Sequence, residues 1–132
     1  MNTKLPTRIQ LETKLSQSIR SFYKEEIKSS PQEVVCKLFS RYLIVIVEQG
    51  LTSVEKSLWQ EGETTLTQEL SNEISSIIKF RLAQIIQEIL QVDTTEILSD
   101  VTYQTDRLGV MAILAQPPLI REFQPLSKTP RS

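Results

Sequence analysis

Histidine is absent from the 132-residue chain, and that absence removes more chemistry than any other feature of the composition. Zinc sites, Ser-His and Cys-His nucleophile pairs and imidazole switches near neutral pH all lose their usual participant. Cysteine occurs once, at Cys36, so no internal disulfide can form, and a lone thiol fits a reducing compartment and a core position. Glycine occurs only at 50, 62 and 109, too scattered for a phosphate-cradling loop. The longest apolar runs are six residues, Tyr42 to Val47 and Val110 to Ala115, against the ~20 needed to cross a bilayer. The first twenty residues lack an apolar h-region, so no secretory signal is expected and a cytoplasmic location follows. Charge of one sign is lacking too. Fifteen basic and 16 acidic residues are spread along the chain, which leaves no electrostatic footprint for nucleic acid.

What remains describes a globular domain. A chain of 132 residues fits one domain that buries about two-thirds of its unfolded surface without disulfide or metal. Hydrophobic residues at 39% and charged residues at 23% sort it with water-soluble chains.

The organising stretch is Leu43 to Leu58, LIVIVEQGLTSVEKSL, where an apolar strand-like run meets Gly50 and then Thr52, with Glu55 three residues on. That spacing is a capping box, which opens a helix. Upstream, Leu11, Leu15, Ile19, Phe22, Tyr23 and Ile27 form one stripe of an amphipathic helix from Leu5 to about Lys28. Basic residues at 14, 20, 24 and 28, with Glu12, Glu25 and Glu26, read as its solvated face, and mixed charge argues against a membrane-surface helix. Ser29-Ser30-Pro31 stops it. Val34 to Phe39 and Leu43 to Glu48 read as strands joined near Ser40-Arg41. The second is apolar on both faces, Leu43, Val45 and Val47 on one and Ile44 and Ile46 on the other, as in a strand covered on both sides.

A short helix from Ser53 to Gln60 is expected to turn Val54, Leu58 and Trp59 inward, with Gly62 ending or kinking it. From Thr65 to Leu90 a helical stripe holds Leu66, Leu70, Ile74, Ile77, Ile78, Leu82, Ile85, Ile86 and Ile89, and Thr65 with Gln68 repeats the capping-box spacing. Glu96 to Thr102 and Leu108 to Ala115 form a second hairpin about Gln104 to Arg107. Residues 117–132 hold four of the six prolines and read as a mobile, extended tail whose Leu119, Ile120, Phe123 and Leu126 offer a docking segment.

The fold class is therefore α+β, a four-stranded antiparallel sheet in the order α-β-β-α-α-β-β with helices packed on it, over residues 1–116. A helix of ~26 residues extends ~39 Å, whereas a six- or seven-residue strand covers only ~20 Å. The overhang and the doubly apolar strand predict a homodimer, whose second copy supplies the missing cover.

Candidate chemistry is sparse. Asp100 lies within a strand-like run, where aspartate is disfavoured, and is expected to accept local backbone or hydroxyl donors or to pair with Lys56 or Arg107. The functional reading groups Glu55, Lys56, Ser99, Asp100 and Asp106 in a polar site for a partner or a small ligand, an anion or metabolite. Lys56 has no structural role legible in the sequence. Trp59 and Tyr103 are expected in the core rather than as a stacking platform. No catalytic pair, metal site or cofactor motif is present in the sequence, so a non-enzymatic protein is expected.

Leu51-Thr52-Ser53-Val54-Glu55-Lys56-Ser57-Leu58, followed by Leu98-Ser99-Asp100-Val101 and Asp106, resembles the small bacterial MpsC-like domain family in its LTxxEKxL and LSDV motifs. The likeness spans roughly residues 8 to 116. Lys28-Ser29-Ser30-Pro31 stands where that family often has a Gly-Arg-Gly-Pro turn. The resemblance implies an association with sodium or bicarbonate transport and brings no catalytic residues with it. The function expected is an accessory or regulatory protein that contacts a membrane transport component, with a small-ligand sensor as the alternative.

Overall fold

The structure is a computed structural model that describes residues 5–121. Its elements are α1 (Arg8–Phe22), extended by a π-helical turn (Tyr23–Ile27), β1 (Glu33–Phe39), β2 (Tyr42–Glu48), α2 (Ser53–Gln60), α3 (Thr64–Leu90), β3 (Thr94–Thr102) and β4 (Arg107–Leu114). The α+β class and element order are those read from the sequence. The four strands form one antiparallel sheet in the order β1-β2-β4-β3. The two hairpins thus lie side by side, with Val45 opposite Val110 and Leu43 opposite Ala112.

Local chemistry sets the element ends. Thr7 and Gln10 form a capping box, so α1 opens at Arg8 rather than Leu5. Its helical path widens into the π turn where the adjacent Phe22 and Tyr23 are both buried, and it stops at Lys28 in the left-handed region (φ 65°). Thr52 and Glu55 form the expected box at α2. The Thr65/Gln68 box does not form. Gly62, at φ 79°, breaks the chain direction, and α3 begins at Thr64 with no side-chain cap.

The core lies between one sheet face and the two long helices. Val34, Cys36, Leu38, Leu43, Val45, Val47, Val110, Ala112 and Leu114 meet Leu11, Leu15, Ile19 and Phe22 of α1 and Ile78, Leu82, Ile85 and Ile86 of α3. Three sequence expectations change here. Glu12 is not on the solvated face of α1 but buried, because its Oε2 accepts the Leu38 N–H at 2.7 Å. In α2 only Glu55 is buried and Val54 is 57% exposed, since the helix rests on α3 through its first turn. Along α3 the apolar stripe is buried in the core only from Ile78 onward, with Ile74 packed at its margin. In the earlier turns Thr67 and Ser71 are buried while Leu66 and Ile77 are exposed, because that half of the helix runs beside α2.

A carboxylate accepts a backbone N–H on each edge strand of the sheet. On β1, Glu12 takes the Leu38 N–H, and one turn later Ser16 Oγ donates to the Val34 carbonyl at 3.1 Å. On β3, Asp100 Oδ1 accepts the N–H of Val101 at 2.9 Å. Each takes up one backbone group that an edge strand would otherwise offer to another chain. The sheet face away from the core carries Val35, Phe39, Tyr42, Ile44, Ile46, Leu98, Met111 and Ile113, and no described element covers it; Phe39 is 73% and Leu98 49% exposed.

After β4 the chain stays on the body through the last described residue. Ala115 N donates to the Asp93 carbonyl, Pro118 is buried, Ile120 packs on the core, and Arg121 N donates to the Pro6 carbonyl at 2.7 Å. Phe123, Leu126 and the rest of the proposed tail lie outside the described residues. Among the described residues no helix is long and apolar enough to cross a membrane.

Candidate functional site

The loop between β2 and α2 and the turn of the β3–β4 hairpin are tied together by one residue. Asp106 takes the left-handed conformation (φ 55°), which short acidic side chains tolerate, and its carbonyl accepts from Gln49 N at 2.7 Å. Its Oδ1 accepts from Leu51 N at 3.0 Å, and its Oδ2 lies 3.6 Å from Lys56 Nζ. Trp59 of α2 stacks on Tyr103 of the same turn, with ring centroids 5.0 Å apart. Between these loops and the first turns of α3 opens a pocket of about 290 Å³.

Each wall of the pocket has a distinct origin. Glu55, 4% exposed, closes the capping box with Oε1 on Thr52, while its Oε2 accepts from Ser71 Oγ at 2.6 Å. One carboxylate therefore finishes α2 and holds it to α3. The polar line Gln68, Ser71, Asn72 and Ser75 of α3 faces the cavity, and Ser75 Oγ meets Ser99 Oγ of β3 at 3.1 Å. Ile74, Ile78 and Leu108 supply an apolar part. Tyr23, carried in by the π turn, is 2% exposed, and its hydroxyl makes no hydrogen bond to a described residue. Burial, and then the Glu55 and Asp106 carboxylates, push its phenol well above the usual tyrosine range.

The structure brings Glu55, Ser99, Asp100 and Asp106 to this one pocket, with Lys56 bound to Asp106 beside it. Lys56 thus has a structural partner after all. Asp100 pairs with neither Lys56 nor Arg107. Strand alternation turns its side chain to the far face, where it caps its neighbour's N–H, and Arg107 pairs instead with Glu48 at 3.0 Å. Sequence reasoning missed Tyr23, Gln68, Ser71, Asn72 and Ser75. The last four were signalled by uncharged polar residues at three- and four-residue steps, a line on α3 that continues the core-facing stripe of Ile78 and Leu82 toward the helix start. Trp59 and Tyr103 are half-buried at the rim rather than in the core. Among the described residues no group of three or more Cys, Asp or Glu is placed to hold a metal ion.

Fold and site together define a small two-layer α+β domain with a polar pocket at one end of the sheet and an open apolar face behind it. The chain belongs to the MpsC family, described as a Na+-translocating membrane potential-generating system, which it matches over residues 7–116. Curated proteins and solved structures gave no match.

Proposed function

We propose that this protein is a non-enzymatic, cytoplasmic accessory component of a sodium-linked membrane-potential system, acting as a homodimer that docks on a membrane partner. The observation that carries this reading is the uncovered apolar sheet face built on Ile44, Ile46, Met111 and Ile113. A face of that composition is unusual on a monomer. The family description supports the sodium link, and a membrane partner is the part of this reading that carries the transport step. The lack of histidine, the usual partner of an activated nucleophile, supports a binding role.

The test is complementation. Cells deleted for the gene are expected to lose part of their sodium-dependent membrane potential, read with a potential-sensitive dye. The intact chain should restore it and Ile44→Asp should not, although the variant protein accumulates and melts cooperatively. Full rescue by Ile44→Asp would remove the face from the function, and an unchanged potential in the deleted cells would remove the sodium link.

A further inference from the structure

We infer that the pocket between α3 and the β3–β4 turn is a binding site for a small aliphatic amine, held as its ammonium ion. The inference is independent of the apolar sheet face. Three observations converge on it. The lining is acidic: Glu55 and Asp106 contribute carboxylates and no Lys or Arg lines the cavity, so an anion would meet repulsion and an ammonium would not. Lys56 offsets Asp106 from outside through a 3.6 Å contact, which leaves Glu55 as the uncompensated charge.

The second observation is Tyr23. Tyr23 is buried, and a buried residue whose hydroxyl bonds to no described residue is an exception among native polar groups, which are nearly always paired. It is placed for a ligand. The ring edge lies against Gly50, where an added Cβ would come within 3.0 Å of Tyr23 Cε2, and both residues line the pocket. The phenol oxygen can accept from an ammonium that also meets the free acceptor capacity of Glu55, three of whose roughly four lone-pair directions are already taken by Thr52 and Ser71. A hydrogen bond of this charge-assisted kind is among the stronger ones.

The third is the shape and the remaining lining. A volume of about 290 Å³ is too large for a bare ion and close to the lower end of small-molecule sites. Ile74, Ile78 and Leu108 form the wall on which an alkyl chain would lie, while Gln68, Asn72 and Ser75 offer acceptors for a second polar group. The sequence alone admitted an anion at this position. The geometry points to the opposite charge.

The experiment is an amide NMR titration of the full chain with probes of one skeleton and three charges: n-butylamine, 1-butanol and butyrate, with sodium chloride at matched ionic strength. Saturable shifts centred on Leu51, Ser71, Ser75 and Val101 are expected with the amine and not with the other three. Tyr23→Phe should weaken amine binding about tenfold, the scale of one lost charge-assisted hydrogen bond, while the melting temperature of the ligand-free protein holds or rises because an unpaired buried hydroxyl has been removed. Glu55→Gln, which keeps a capping-box residue, should weaken it further. Equal shifts with butanol or butyrate, saturation by sodium chloride, no saturable shift with the amine, or unchanged affinity in Tyr23→Phe would each overturn the assignment.

Discussion

At the scale of single residues, two buried acids set the alkaline limit of the fold. Burial pushes the Cys36 thiol up to about 11, with Ser16 working against the rise and Glu12 adding to it. Tyr23 is raised further still, by burial and by Glu55 and Asp106. A folded-state pKa above the unfolded one means that the native chain holds its proton more tightly. The stability this represents is fully present below the ordinary values of 9.0 and 10.0, and is lost as pH rises through the folded ones. Unfolding free energies from urea titrations should therefore stay level up to about pH 8 and then fall between about pH 9 and 11, by up to about 1.4 kcal/mol per pH unit for each proton. Tyr23→Phe and Cys36→Ala should each flatten that fall, whatever they do to stability at neutral pH. An unchanged slope in both would mean that neither proton is held by the fold.

At the scale of elements, β1 shows how a helix protects a sheet edge. The Glu12 carboxylate and the Ser16 hydroxyl, one turn apart on α1, meet the Leu38 N–H and the Val34 carbonyl, which would otherwise be buried without partners beneath the helix. Glu12→Ala should then cost about 1–3 kcal/mol in urea unfolding, the scale of one buried donor left unsatisfied, and should raise aggregation by opening the edge. Glu12→Gln keeps an acceptor and should recover much of the loss; equal losses in both variants would show that packing rather than the hydrogen bond is at stake. The same residue marks how far the sequence could be read. Strands, helices and the Thr52–Glu55 box were legible because each follows from spacing within a few residues. Glu12 was not, because its partner Leu38 is 26 positions away and nothing local distinguishes it from Glu25. Glu55, Ser99 and Asp106 were found as a group because the strand-to-helix corner and the hairpin turn stand out locally. Tyr23 and the polar line on α3 reach the same pocket only through the tertiary fold. Lys56 looked unemployed because its partner, Asp106, sits on the other hairpin.

At the scale of the whole molecule, one face of the sheet is covered by the helices and no described element covers the other, so the proposed assembly is built on that other face. Gly109 sits near the middle of that face, opposite Ile46 and Asp100. Nothing inside the protomer requires glycine there: its φ is not positive, and an added Cβ would meet only Ile46 Cδ1, at an ordinary 3.8 Å. A strand glycine without an internal reason marks a place where another backbone comes close. Two sheets packed face to face about a two-fold axis would make the same patch meet itself, with Ile44, Ile46 and Met111 around the bare Gly109. Light scattering should give twice the protomer mass at micromolar concentration, and the thermal midpoint should rise with protein concentration, since association stabilises the folded state by mass action. Gly109→Ala should leave the protomer as stable or more so, because it relieves glycine's entropy cost by roughly 0.5–1 kcal/mol, yet weaken the dimer. A midpoint that does not move over a hundredfold range of concentration, in the parent chain as in Gly109→Ala, would leave the face to a different partner and the glycine without an explanation.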